Sequence, residues 1–449
     1  MQPLNKQNIV LTAILFTACA LLFPQASYAS IEVNCDSQFV KPHATLLRLD
    51  IFATGTDDTE NIQCALDAAV EQGIPVVKLA VGDFSISTIL VTNFKGSFQG
   101  TTRADTKLTI LDNSINCSAF VANGRRRAAI KFVAGEPVLK FMSIISNHPC
   151  IDETIILDAI VHFTGVAWQF SNCKNDVIFA AVDRVDFTGP GYKISPWNLT
   201  SAIEASAEGW EKSNSCTKTL LGTFKFNQSS ATAFDIGVLT SMRAAAQVDI
   251  NFNTFTNNNI GIYLIDSNQS TTITGNSFNS VNDDVDTQNL LAIKIKAFDN
   301  TAPKKTRVVI NNNQINFTDL LEGEGLTRGR GQIMQVGDYH NSLQDISLSI
   351  TNNHFQVIGY GISLISLNNI SNSAITGNTF AGHVDTAILA TGSQAVAEMT
   401  SDCLIVANSF DDLMTISQDI YLSPKTTGCI VGSGQAMDVV DSGSDNTIL

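Results

Sequence analysis

Three stretches of this 449-residue chain gather side chains able to move protons or hold a cation. The first is Asp183-Arg184-Val185-Asp186, a strand-like run before Gly189-Pro190-Gly191. In a regular strand Asp186 shares a face with Arg184 while Asp183 looks the other way. That spacing suits a surface ion pair, and it also suits an acid–base pair. The second stretch is the acidic run Asp283, Asp284 and Asp286, followed by Lys294 and Lys296. The two lysines alternate with Ile293 and Ile295, so both point outward from one strand. Carboxylates beside two ammonium groups can form a Ca²⁺-dependent or an acid–base cleft. The plainer alternative is a solvated loop beside an exposed strand. The third stretch is Glu322-Gly323-Glu324 with Arg328-Gly329-Arg330. Its arginines could hold a substrate, or it could be a simple polar loop. The six histidines (43, 148, 162, 340, 354 and 383) show no paired metal spacing, and no serine sits in a nucleophile elbow.

The elements that must position these residues are mostly strands. One strong helix is expected after Asp57-Asp58-Thr59-Glu60: Asp57 can cap with Glu60, Ile62, Leu66, Ala69 and Val70 recur at helical spacing, and Gly73 ends it. From about residue 220 a motif repeats: an apolar residue, two mostly small or polar residues, Asn, any residue, then a large apolar residue. It runs through Asn253, Asn276, Asn313, Asn353, Asn378 and Asn408, as in Ile273-Thr274-Gly275-Asn276-Ser277-Phe278. The spacings of 23, 37, 40, 25 and 30 read as single coils with loops inserted in the longer ones. Such a pattern predicts a solenoid of stacked parallel strands with Ile, Leu and Phe inside. The recurrent Asn is expected at a corner, tolerating left-handed backbone while its amide bonds the Asn one coil above. At one coil per about 25 residues and ~4.8 Å between strands, the chain would make roughly 14–16 coils, about 70 Å in length.

Before the solenoid comes an address. Lys6, the apolar stretch Ile9–Phe23 and the small-x-small Ser27-Tyr28-Ala29 predict a signal peptide over 1–29, with 30–449 as the mature domain. The apolar stretch is short for a membrane span, and cleavage before Cys19 as a lipoprotein would need a poor lipobox. Loss of Lys6 takes the formal charge from −15 to −16, and loss of Cys19 leaves eight cysteines of the nine. An even number in an exported chain favours disulfides, for which sequence neighbours suggest 35–64, 117–150, 173–216 and 403–429. The acidic balance argues against nucleic acid or an anionic membrane as partner, because phosphate binding needs a basic face.

The stretch Thr56-Asp57-Asp58-Thr59-Glu60-Asn61-Ile62-Gln63-Cys64-Ala65-Leu66 resembles the opening of the pectate-lyase-like superfamily. The resemblance is specific over about residues 45–111, and the Asn-x-Phe repeats from 250 to 410 extend it more loosely. It lacks the usual proline before Gly82. The resemblance implies an all-β fold, a right-handed parallel β-helix solenoid with an N-terminal capping α-helix. The cap would cover about 45–75, with an irregular insert at about 190–215. It also implies an extracellular or periplasmic protein that acts on, or grips, polysaccharide.

On that reading two function classes stand side by side. The protein is a polysaccharide lyase or glycoside hydrolase with acidic and basic residues in a lateral groove, or a non-catalytic carbohydrate-binding or adhesion protein. A lyase would need a cation such as Ca²⁺, or a local Lys/Arg patch, to offset the charge of an acidic substrate. A glycosidase would need two facing carboxyls. The candidate catalytic residues are Asp283, Asp284, Asp286, Lys294, Lys296, Asp186 and Arg184. For substrate binding the candidates are Tyr192, Trp197 and Trp210, whose rings could stack on sugars or pack their own loop, with Arg328 and Arg330. The Asn-Thr-Asp, Asp-Asp, Gly-His-Gly series of polygalacturonases is absent.

Overall fold

The computed structural model describes residues 33–110, 128–146, 159–164, 178–189, 191, 201–206, 222–241, 247–265, 270–281, 291–296, 306–320, 331–337, 346–359, 362–392, 399–432 and 438–449. They form a right-handed parallel β-helix. After an antiparallel pair, Val40–Pro42 with Arg48–Ile51, every strand pairing among the described residues is parallel, joining each coil to the next. Each coil contributes a strand to three ladders. In the coil around Asn253 these are Ile260–Ile265 (sheet I), Gln247–Asn251 (sheet II) and Thr254–Thr256 (sheet III).

The repeated motif explains why coils stack. Its apolar first residues, Ile250, Ile273, Ile310, Ile350, Ile375 and Ile405, stand in register, and each is at most 1% exposed. Its aromatic residues stack as well: Phe255 on Phe278 at 5.0 Å between centroids, and Phe355 on Phe380 at 5.0 Å. Such offset stacks add to the hydrophobic gain of burying each ring.

Between sheets II and III the buried asparagines form a continuous ladder. Asn253 Nδ2 donates to Asn276 Oδ1 (2.9 Å), Asn276 to Asn313 (3.0 Å), Asn313 to Asn353 (2.9 Å), Asn353 to Asn378 and Asn378 to Asn408 (both 3.0 Å). Each backbone N–H donates to the same oxygen, and each Nδ2 also reaches a carbonyl of the coil before, such as Ile273 O from Asn313. One expectation is corrected. The left-handed residue of the corner is the one before the ladder asparagine: Gly275 (φ 66°), Asn312 (55°), Asn352 (54°) and Gly377 (66°). Left-handed backbone turns the chain outward there, and the following Asn can then point its amide into the core.

The helix spans Thr59–Gln72 and ends at Gly73, which is left-handed at φ 67°. Its start also differs from expectation. Asp58 holds the N-cap position without capping; its carboxylate accepts from Thr54 N (2.7 Å) and Ser85 N (2.9 Å). Asp57 instead takes the Thr59 N–H at 2.9 Å. Fully buried Asp58 thereby ties the helix to the adjoining strands, while Ile62, Ala65 and Leu66 pack beneath it. Disulfides join Cys35–Cys64 and Cys403–Cys429, as the neighbour pairing proposed. Cys117, Cys150, Cys173 and Cys216 lie outside the described residues.

Candidate functional site

Titratable side chains collect on sheet I. Its strands 128–133, Ala159–Thr164, Ser201–Ser206, Ile236–Ser241, Ile260–Ile265 and Leu291–Lys296 lie side by side in parallel register. Ile130, Val161, Ile203, Val238, Ile262 and Ile293 form one inward row, each 0% exposed. The next residue along every strand points the other way. That outward row reads Lys131, His162, Glu204, Leu239, Tyr263, Lys294, one residue per coil. Adjacent members stand about 4.8 Å apart, the spacing of paired strands.

Sequence alternation alone would leave this face in water, yet its centre is enclosed. His162 and Glu204 are both 0% exposed. Ile236, Leu239, Ile260, Tyr263 and Leu291 form a buried apolar cluster on the same face, with Ile265 packed against it. Charge-bearing side chains are rarely buried to this extent without polar partners. A carboxyl and an imidazole one coil apart and shielded from solvent are chemically suited to pass a proton. Tyr263 and Lys294 extend the row: the Lys294 ammonium sits over the Tyr263 ring, 5.1 Å from its centroid. Lys296 follows two residues later and is half-buried, as are Lys131 and Lys294. Lys294 and Lys296 thus occupy the outward positions that their alternation with isoleucine predicted.

At the entrance to strand Ile236–Ser241 stands Asp235. Its Oδ1 accepts from Asn259 Nδ2 at 2.8 Å. Burial lifts its pKa from 3.8 to about 6, and the Asn259 bond acts in the opposite direction. It titrates near the range in which a general acid or base works.

Arg184 and Asp186 lie elsewhere, at the corner between sheets II and III. Asp186 Oδ1 accepts from Arg103 Nη1 (3.0 Å) and Ser230 Oγ (2.8 Å). Arg184 turns its Nε to Gln228 Oε1 at 2.9 Å and stacks over the Phe141 ring at 5.3 Å. The two residues therefore bond to different partners and stand apart from Lys294 and Lys296. Asp283, Asp284, Asp286, Tyr192, Trp197, Trp210, Arg328 and Arg330 lie outside the described residues. Among the described residues, no group of three or more His, Cys, Asp or Glu is placed to hold a metal ion.

Spacing in the sequence does not single out His162, Glu204, Lys131, Tyr263 or Asp235 as a group. The one available signal was Glu204 itself, a charged residue in the apolar run Ser201-Ala202-Ile203-Glu204-Ala205.

No protein-family model matches the chain, and no curated protein matches it. Solved structures do. The Dettilon tailspike protein superposes with a TM-score of 0.56 at 14% identity, covering 89% of this chain and 68% of the tailspike. The chain shares its fold with a phage tailspike. Bacteriophage CBA120 tailspike protein 3 follows, with a TM-score of 0.48 and 13% identity over 88% of this chain and 59% of that one. The catalytic domain of a GH87 α-1,3-glucanase in complex with nigerose gives 0.44 and 11% identity, covering 91% and 66%. The chain therefore spans about two thirds of the length of these proteins, and at such identities the likeness concerns the fold alone.

Proposed function

We propose that the protein acts on an acidic polysaccharide, and that the outer face of sheet I is where it does so. The observation that carries this reading is the outward row Lys131, His162, Glu204, Tyr263, Lys294, with Lys296 beside it. A chain of net charge −15 repels polyanions, so a polyuronate needs a local cationic patch, and these lysines supply one. The outward row from Lys131 to Lys294 contains one carboxylate, Glu204, whereas hydrolysis by paired carboxyls needs two that face each other. The set suits β-elimination better. Lys131, in register beside His162, would hold the uronate carboxylate, and His162 would withdraw the C5 proton next to it while Glu204 orients and charge-balances the imidazole. The C4–O bond breaks and the leaving oxygen takes a proton from water. Lys294 and Lys296, four coils beyond His162 at about 4.8 Å per coil, would hold a carboxylate farther along the polymer. Ca²⁺ at Asp283, Asp284 and Asp286 is the alternative source of positive charge.

Export belongs to the same proposal. Residues 1–29 have the pattern of a signal peptide, and two disulfides fit an oxidising compartment. Among the described residues no helix is long and apolar enough to cross a membrane.

A second reading, a glycan-binding protein without catalysis, is favoured by the full burial of His162 and Glu204. A polysaccharide panel with and without Ca²⁺ separates the two. Unsaturated ends seen by ultraviolet absorbance support elimination, and new reducing ends alone support hydrolysis. Retained binding without new ends of either kind supports the non-catalytic reading.

A further inference from the structure

The corner between sheets II and III takes one left-handed residue per coil, and its two halves are filled differently. The later coils use Gly275, Asn312, Asn352 and Gly377, residue types that adopt this backbone readily, and then the small Ala407 (φ 56°). The earlier coils use Phe141 (φ 58°), Arg184 (56°), Gln228 (48°) and Phe252 (59°). For bulky side chains that conformation is strained, and strain of this kind collects where a side chain is held for a purpose.

These four side chains make a contiguous stripe. Strand register aligns the coils, with Lys140 opposite Asp183, Asp183 opposite Asn227 and Asn227 opposite Asn251, so the next residue of each shares one edge. The Arg184 guanidinium lies over the Phe141 ring at 5.3 Å and donates to the Gln228 amide at 2.9 Å. Arg103 reaches the backbone oxygen of Gln228 at 3.3 Å while paired with Asp186, bracing the corner from the side. Phe252 completes the stripe with its side chain 62% exposed, one of the most exposed large apolar residues described. A Cβ on Gly275 would come within 2.7 Å of the Phe252 ring. Glycine in the next coil therefore lets the ring lie flat along the corner instead of standing into solvent.

The sequence along the axis is ring, guanidinium, amide, ring, with about 4.8 Å from one coil to the next. An apolar face alternating with planar hydrogen-bonding groups complements a chain of pyranose rings, which present apolar faces and hydroxyl edges in turn. We infer that this ridge is a second carbohydrate contact, in which a polysaccharide lies along the corner with a sugar face on Phe252 and hydroxyls on Arg184 and Gln228, while the Phe141 ring, covered by Arg184 and Lys140, braces the guanidinium from beneath. The inference rests on the proposal that the protein engages polysaccharide, but it concerns a different face from sheet I. It also gives Arg184 a binding role away from the proton-transfer row.

Retardation of the full chain in native gels containing polygalacturonate, alginate or a neutral glucan tests it. Phe252→Asn is the informative variant, because Asn suits the left-handed backbone and the protein should melt at or above the wild-type temperature. With folding thus secured, retardation should weaken about tenfold in Phe252→Asn and also in Arg184→Ala. Wild-type retardation in both variants overturns the ridge, as does absence of retardation of the wild type in every polymer. A wild-type dimer in sedimentation that Phe252→Asn converts to monomer also overturns it, assigning the patch to self-association. Glu204→Gln keeps the two proposals apart. If it stops turnover but keeps retardation while Phe252→Asn loses it, both faces stand. If Glu204→Gln turns over normally while Phe252→Asn loses retardation, the ridge stands and the sheet I reading falls.

Discussion

Glu204 stands in register against His162 on the neighbouring parallel strand, and neither side chain has exposed surface. The strands belong to consecutive coils whose paired residues are 42 positions apart in the sequence, from His162 to Glu204. The β-helix thus brings an acid and a base together on an outward face through register alone. Tyr263 and Lys294 extend the same line beyond an intervening apolar residue, Leu239.

Lys294→Met keeps the apolar stem over Tyr263 and removes the charge. Binding of an anionic polysaccharide should weaken several-fold at low salt, and the difference from wild type should shrink as salt approaches 1 M. Binding of a neutral glucan should stay unchanged. A titration across ionic strength checks both expectations.

Asn313→Ala interrupts the asparagine ladder at its centre. Asn276 loses the acceptor of its backbone and side-chain donors, and Ile273 O and Asn353 Oδ1 lose a donor. Each buried group left unsatisfied costs about 1–3 kcal/mol, so a total near 4 kcal/mol is expected in urea unfolding. Asn312→Gly, one residue earlier on an exposed left-handed site, should change stability by less than about 1 kcal/mol.

Reduction should destabilise both ends of the described solenoid. The disulfides close segments with sequence separations of 29 and 26 residues, each worth about 3–4 kcal/mol by loop-closure entropy. Replacing Cys403 and Cys429 by Ser should lower the unfolding midpoint, as should replacing Cys35 and Cys64. Denaturant melts of each pair of variants read the effect.

Asp235 makes stability depend on pH in a defined direction. Its folded pKa, about 6, lies above the ordinary 3.8 because burial penalises the carboxylate. The folded state therefore binds the extra proton, and stability is greatest below pH 4 for this group and is lost as pH rises through 6. The contribution is on the order of 3 kcal/mol. In Asp235→Asn the amide oxygen can still accept from Asn259, so this variant should be more stable than wild type at pH 8 and show a flatter profile from pH 4 to 7. Paired thermal melts across that range measure it.

Sequence revealed the scaffold because its signals are local. The two large apolar residues of each motif and the Asn between them lie within six residues, as in Ile273–Phe278, and the same three positions make the core and the ladder. The left-handed residue was misplaced by one because Asn tolerates that backbone as well, and Asn312-Asn313 leaves both options open until the amide is seen to point inward. The sheet I row was illegible for a different reason. The strands Ala159–Thr164 and Ser201–Ser206 are far apart in the sequence, with strand Phe179–Thr188 between them, and a one-residue slip would send Glu204 to the other face. Lys294 and Lys296 were readable because Ile293 and Ile295 alternate with them on a single strand. Phe252 was visible as the one aromatic residue at a motif position otherwise held by Gly, Asn or Ala, a break whose meaning emerges only beside Gly275.

The most direct test of the account is the rate at which wild type and Glu204→Gln generate new chain ends from the polysaccharide that the wild type degrades fastest. Gln preserves shape and an amide acceptor while removing the ionisable proton. The account predicts a loss of about 10²-fold or more, with binding of the polymer and thermal unfolding close to wild type. A variant that degrades the polymer at the wild-type rate would contradict it and remove the outer face of sheet I from the chemistry.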